Sequence, residues 1–226
     1  MGGFTVKEYL ALLRTAKHLA QAQEPVQIFT HRDRAGGIYK RTPRVPPEMA
    51  WLIGFMVNSF LRPSDLKYIQ HKHVEIIRTN HVHLRLTILE TKRYRTQIVT
   101  LRPAVRIYQN LYNFRKAKDF IGSEDYLFLP DIDDRDAAVV LLSSNFNKVL
   151  HATNLEISKL GQTRSLYSLR HTGIMFRLLY GKGIDLLTLA RNARTSVKMI
   201  EDFYASNLTF EMNIGLLQSR RGGTVR

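Results

Sequence analysis

Residues 165–206, SLYSLRHTGIMFRLLYGKGIDLLTLARNARTSVKMIEDFYAS, constrain this chain more than any other stretch, because they read as helix almost from end to end. Leu169, Phe176, Leu179 and Tyr180 recur with a helical period, Ser168 is placed to cap the start, and Gly181 and Gly183 close the segment. After a break, Thr195 or Ser196 caps a last amphipathic segment with Val197, Ile200 and Tyr204 on one face. About three short helices, each with one apolar face, cannot be stable alone and demand a core supplied by the rest of the chain. Arg170 and His171 stand at one end of this stretch and Tyr204 at the other. Periodicity alone gives Tyr204 no chemistry, since a tyrosine on an apolar helix face is by default a core residue.

The remaining segments supply that core. Residues 4–22 read as a helix capped by Thr5, with Tyr9, Leu10, Leu12, Leu13 and Leu19 as its apolar side. Residues 23–47 are polar, basic and rich in Gly and Pro, and read as a loop or short strands. Glu48 to Phe60 is apolar nearly all round, which predicts a buried helix. Three β-branched, alternating runs follow, HVEII, HLRLTIL and TQIVTL, and predict a three-stranded antiparallel sheet. Residues 103–118 return to helix with Pro103 in the first turn, residues 119–139 read as an acidic surface loop around a short buried LFL, and 144–153 as another helix. The fold class expected is α+β, mainly helical.

Charge narrows the partner. With 34 Lys and Arg against 19 Asp and Glu, the net charge is +15, a surplus that favours a polyanion whose phosphates release counterions on binding. The basic residues are spread along the chain, which suits a wrapped surface better than a single tail. Charge alone does not distinguish DNA from RNA or an anionic membrane surface. There is no cysteine, so disulfides, thiol catalysis and Cys-based zinc sites are excluded, and a reducing interior is the compartment expected. No run approaches the length of a membrane span, and the start lacks the layout of a secretory signal.

The order of several separated pieces is specific where each alone is not. LYSLRHT, a Gly-containing turn, LA-N, TSV-MIE and then Tyr204 resemble the tyrosine recombinase (phage integrase) family, especially its phage- and element-borne branch. The resemblance extends from about Thr5 to Tyr204. It implies the catalytic domain of that family, with helices packed around a small three-stranded antiparallel sheet. It also implies a site-specific recombinase that cleaves and rejoins DNA through a 3′-phosphotyrosyl intermediate; a non-catalytic DNA-binding protein on the same scaffold is the alternative.

Residue by residue, the resemblance makes Tyr204 the nucleophile and Arg170 a phosphate clamp. N-S-F-L-R-P-S-D-L is a loosened form of the family's first arginine motif, so Arg62 matches the second clamp and Asp65 the acidic residue that steadies it. Lys92, in the turn between the second and third strands, matches the lysine that protonates the leaving 5′ oxygen, with Arg93 the neighbour to distinguish from it. The chemistry suits these types. Two guanidinium forks match phosphate oxygens, and a tyrosyl ester keeps the energy of the broken bond, so the strand can be resealed without ATP. Neither a metal nor a cofactor is called for.

Two departures stand out. The family's second box is commonly H-x-x-R, and here its first position is Tyr167, a poorer base near neutral pH but able to relay a proton. His171 follows Arg170 and is mostly structural in the family. About nine residues before the nucleophile the family often has G-H or G-W; here Ala193-Arg194-Thr195 fills the region, with Arg194 the nearest cationic substitute.

Other patterns carry less. His71, His73, His81 and His83 form two H-x-H pairs, read as surface strand residues rather than a zinc site because no carboxylate or cysteine stands at ligand spacing. Gly-Lys-Gly at 181–183 lacks the frame of a phosphate loop. Residues 1–206 are expected to form the catalytic domain and 207–226 a tail exchanged between protomers. No N-terminal clamp domain fits before the first helix, so a domain of a longer protein, or a compact natural form, is expected. The partners implied are double-stranded DNA at attachment sites, further copies of the chain in a tetramer, and accessory DNA-bending or directionality proteins. The place implied is the cytoplasm, for a bacterial or phage protein associated with the nucleoid.

Overall fold

The computed structural model describes residues 2–22, 29–32, 38–41, 45–89, 95–181 and 184–204, with the side chains of 29–32, 38–41 and 203–204 outside that description. At its centre is helix α2 (Met49–Ser59), buried on nearly every side because every residue but the last two, Asn58 and Ser59, is apolar or glycine; only Trp51 is partly exposed. Around it pack α1 (Val6–Gln21), α3 (Pro103–Lys116) and α5 (Tyr167–Tyr180), with α4 (Arg135–Thr153) against α1. Two strands, β1 (Phe29–Arg32) and β2 (Ile38–Arg41), form an antiparallel hairpin in the segment expected as loop or short strands. The larger sheet runs β3–β4–β5 (Val74–Ile77, His83–Leu89, Arg95–Val99), antiparallel throughout as the alternation predicts. Leu84, Leu86 and Ile88 alternate inward from the middle strand.

Local chemistry sets the ends. Thr5 caps α1 reciprocally with Glu8, as expected. α4 starts nine residues earlier than its apolar pattern suggests, at Arg135 rather than Ser144. The Asp134 carboxylate accepts from the amides of Asp136 and Ala137 at 3.0 and 3.1 Å, so the acidic residues read as loop are the helix cap. Arg135 then donates to the carbonyls of Phe128, Leu129 and Ile132, fixing the buried Leu127–Leu129 turn beneath it. Ser168 does not cap α5. Leu166 holds the cap position, and the Ser168 hydroxyl, inside the helix, accepts from the Ser165 amide at 3.1 Å. Gly181 ends that helix; Gly183 lies outside the described residues.

The first histidine pair differs from expectation, while His83 does lie on β4 with His81 exposed beside it. His71 and His73 lie in a single 3-10 turn and are buried, not on a surface strand. His71 Nδ1 is 3.0 Å from the Tyr108 hydroxyl, and His73 Nδ1 accepts from the Gln70 amide at 3.1 Å. Internal polar contacts at the two Nδ1 atoms, not a shared strand face, hold these side chains.

Helices α6 (Leu186–Ala193) and α7 (Val197–Tyr204) complete the described chain. They share a second, smaller core with α5 in which Phe60, Ile174, Leu189, Ala190, Ala193 and Ile200 are buried and Leu101 packs at the margin. Among the described residues no helix is long and apolar enough to cross a membrane.

Candidate active site

The site forms where the ends of α2 and α6 meet the first turns of α5. α2 stops because Phe60 turns left-handed, at φ 60° and ψ 18°, with its amide bonded to the Met56 carbonyl. That turn releases Leu61 and Arg62 into extended chain before Pro63 opens a 3-10 turn over Pro63–Lys67. Asp65, buried at 7% exposure, accepts from the Arg62 amide at 2.7 Å and so holds the arginine's backbone rather than its guanidinium.

Arg170 enters from α5 and is 2% exposed. Its two terminal nitrogens donate to the carbonyls of Phe60 and Ala193, spanning the gap between the ends of α2 and α6. The next carbonyl along α6's end, that of Arg194, accepts from Arg62 Nη2. Both guanidinium groups are therefore positioned by the carbonyl end of one short helix, where the helix dipole favours positive charge. Arg194 is itself left-handed, at φ 54° and ψ 51°, and turns its guanidinium inward onto the Asp65 carboxylate. Arg194 thus holds the Arg62 loop twice, through its carbonyl and through Asp65. Its guanidinium, read from the sequence as the nearest cationic substitute for the family's G-H or G-W, donates to that carboxylate.

Three guanidinium groups around one carboxylate leave a surplus of positive charge. Burial pulls the Arg170 guanidinium below its ordinary range, with Arg62 and Arg194 adding to the effect and Tyr167 and Asp65 opposing it. An anion arriving beside it relieves that repulsion. Tyr167 and His171 are one helical turn apart with ring centroids 5.0 Å from each other. Burial first, and then nearby positive charge including Arg170, lowers His171 to about 4, so it is neutral at pH 7 and a weak proton acceptor. Because its folded value lies below its ordinary 6.5, the unfolded chain takes up the proton first, and stability is lost as pH falls from about 6.5 towards 4. Urea unfolding of wild type and His171→Gln at pH 7 and pH 5 should show a smaller loss on acidification in the variant. An equal loss would remove His171 from the account.

α7 begins where the Ser196 hydroxyl accepts from the Met199 amide at 3.1 Å, choosing Ser196 over Thr195 as the cap. Ile200, 1% exposed, pins the helix to the small core, and Tyr204 is its last residue. The Tyr204 side chain, Lys92 with its turn at 90–94, and the tail at 207–226 lie outside the described residues. The structure thus brings together Arg62, Arg170, Arg194, Tyr167 and His171, with Tyr204 at the end of the helix that follows. Sequence reading missed the carbonyls of Phe60 and Ala193 as the devices that aim Arg170. A glycine at the left-handed positions would have signalled both turns, and Phe60 and Arg194 conceal them.

This mainly helical domain with a three-stranded antiparallel sheet shares its fold with the catalytic domains of solved tyrosine recombinases. Among solved structures the chain is similar to the XerA recombinase, at TM-score 0.60 and 11% identity over 98% of this chain and 66% of that one. It is similar to the XerH site-specific recombinase bound to its palindromic difH substrate in a post-cleavage complex (TM-score 0.61, 14% identity, 95% of this chain and 52% of that one). It also resembles the Tn1549 transposon integrase in complex with transposon right-end DNA (TM-score 0.55, 15% identity, 95% of this chain and 64% of that one). The chain therefore spans between about half and two thirds of the length of these structures. No protein-family model matches the sequence, and no curated protein matches it.

Proposed function

We propose that this chain cleaves and rejoins DNA strands at specific sites, by metal-independent attack of Tyr204 on a phosphodiester. The observation that carries this reading is the pairing of Arg62 and Arg170 on successive carbonyls at the end of α6, in a fold shared with site-specific recombinases. The Tyr204 oxygen bonds to phosphorus, the bond to the 5′ oxygen breaks, and Lys92 delivers a proton to that oxygen. The phenol proton leaves for water with the Tyr167 hydroxyl as relay, since His171 is too weak a base for the role. Arg62 and Arg170 hold the charge on the phosphate oxygens through the donors that their carbonyl contacts leave unused. Rejoining is the same reaction run by a 5′ hydroxyl. Double-stranded DNA at attachment sites, further copies of the chain in a tetramer, and DNA-bending or directionality proteins are the partners this reading entails, and the cytoplasm its place.

The test is covalent capture. The chain is incubated in EDTA with a library of nicked duplexes randomised around the nick, so that cleavage releases a short strand and traps the protein on DNA. Adducts recovered from a denaturing gel should share a sequence and map by peptide analysis to Tyr204. DNA retention with no adduct from any library member would favour a second reading, a non-catalytic DNA-binding protein. The histidine-free positions at Tyr167 and around Arg194 are what give that alternative weight.

A second expectation separates clamp from bulk charge. Arg170→Lys keeps the charge, but one ammonium cannot span the Phe60 and Ala193 carbonyls and still face a phosphate. Adduct formation on the selected duplex should fall by about 10²- to 10³-fold with DNA affinity changed by less than about threefold. A fall below about tenfold would show that Arg170 is a structural strut only.

A further inference from the structure

The helical turn that carries Arg170 is held on two faces. At roughly 100° per residue, Thr172 stands about 200° round α5 from Arg170. Arg170 reaches the ends of α2 and α6, whereas the Thr172 hydroxyl accepts from the Phe4 amide at 2.9 Å and donates to the Ser168 carbonyl at 2.7 Å. Phe4, Ser168 and Thr172 are all fully buried. The segment at 2–4 is itself fixed. The Phe4 ring lies edge-on to Phe146 of α4, with centroids 6.3 Å apart, and under the Arg164 guanidinium at 4.5 Å. Arg164 Nη2 donates to the Gly3 carbonyl at 3.0 Å and to the two Glu8 carboxylate oxygens at 3.0 and 3.1 Å. Thr172 therefore ties the Arg170 turn to α4 and α1 through the residues just ahead of α1.

Resting on the function proposed above, we infer that Thr172 is a positioning residue. Its hydroxyl, seated on the Phe4 amide, sets how α5 is turned about its axis, and so whether both Arg170 terminal nitrogens meet the Phe60 and Ala193 carbonyls while facing a phosphate. Residues 2–4 then belong to the site although none reaches it. Without that hydroxyl the Phe4 amide is left unpaired in the interior, and the segment withdraws towards water. α5 then loses its backing on the face away from Arg170. The two carbonyls belong to the ends of α2 and α6, so a small turn of α5 opens one of the contacts while the other stays closed.

Thr172→Val keeps the branched shape and removes the hydroxyl, whereas Thr172→Ser keeps the hydroxyl. The full chain is assayed in single turnover on the selected nicked duplex, well below each variant's melting temperature. Thr172→Val should slow adduct formation by about 10- to 100-fold, the scale of a misplaced catalytic group. DNA affinity should change by less than about threefold, since no phosphate contact is lost. Thr172→Ser should restore the rate to within about threefold. In an Arg170→Lys background, Thr172→Val should slow the reaction by less than about threefold more, because the aim it supports is already gone. The guanidinium supplies a readout that needs no DNA. In nitrogen NMR spectra the two Arg170 terminal nitrogens, each held by its own carbonyl, should give separate signals, identified by their loss in Arg170→Lys. They should average in Thr172→Val. Equal slowing in both backgrounds, or an unchanged Arg170 spectrum, would mean general loosening and overturn the assignment, as would full activity of Thr172→Val. If Thr172→Val does not fold, Phe4→Leu loosens the seat, keeps the hydroxyl and should show the same dependence on Arg170. A wild type that forms no adduct would sink the recombinase reading, while the spectra would still decide whether Thr172 aims Arg170.

Discussion

Tyr204→Phe is expected to abolish covalent capture while the protein still folds and binds DNA. One oxygen is removed, at the last residue of α7. The features that hold this helix are the Ser196 cap and the buried Ile200, and neither is touched. Phenylalanine keeps the ring and has nearly the helix propensity of tyrosine, so the melting temperature should shift little. On the function proposed above, the oxygen removed is the nucleophile. His171 is neutral but bound to the α5 turn beside Tyr167, and the chain contains no cysteine. The yield of adduct on the selected nicked duplex should therefore fall by at least about 10⁴-fold, the scale on which loss of a covalent nucleophile acts. Gel-shift affinity should stay within about threefold, because the charge of +15 that dominates phosphate contact is unchanged. An adduct that persists in the variant would move the nucleophile to another residue and with it the direction in which α7 presents its end to DNA.

Gly173→Ala should be the most damaging single substitution in the scaffold beneath the site. α5 crosses α2 at this glycine, and a Cβ there would lie 2.3 Å from the Val57 carbonyl oxygen and 3.2 Å from its carbon. Those are backbone atoms of the central buried helix, so the contact cannot be relieved by turning a side chain. The two helices must part. Overpacking against a rigid backbone costs about 3–4 kcal/mol, a drop in melting temperature of about 10 °C for a domain of this size. The displacement also reaches the chemistry. The same α2–α5 contact sets the distance between Arg170 and the Phe60 carbonyl, one turn away on each helix. Residual adduct formation measured well below the melting temperature should therefore fall further than the folded fraction does. A variant melting within about 1 °C of wild type would show that the helices are farther apart than this geometry states.

Much of this architecture is legible in the residues alone. The all-round apolar run of α2 has only one stable place, the centre of a helical domain, and alternation in HLRLTIL admits only a strand with one face covered. The Thr5–Glu8 box marks the start of α1 without reference to anything else. What failed did so for reasons of context. The Asp134 cap was hidden in an acidic run that composition assigns to a loop, and His71 and His73 follow a strand's alternation while lying in a 3-10 turn. Local patterns report how a segment folds against a generic core, not which neighbour satisfies each polar atom.

The candidate site divides the same way. The order of Arg62, Lys92, Arg170 and Tyr204 and the chemistry open to each are properties of the chain, because residue type decides what can fork onto a phosphate, give up a proton or form a phosphoester. How the arginines are aimed is not. The carbonyls of Phe60, Ala193 and Arg194 exist in every sequence, and only the packing of α2, α5 and α6 frees them at helix ends and points them inward. The same packing turns Arg194 onto Asp65 and Asn192 onto β5, since these contacts depend on where two left-handed turns leave the chain and no side-chain pattern encodes that direction.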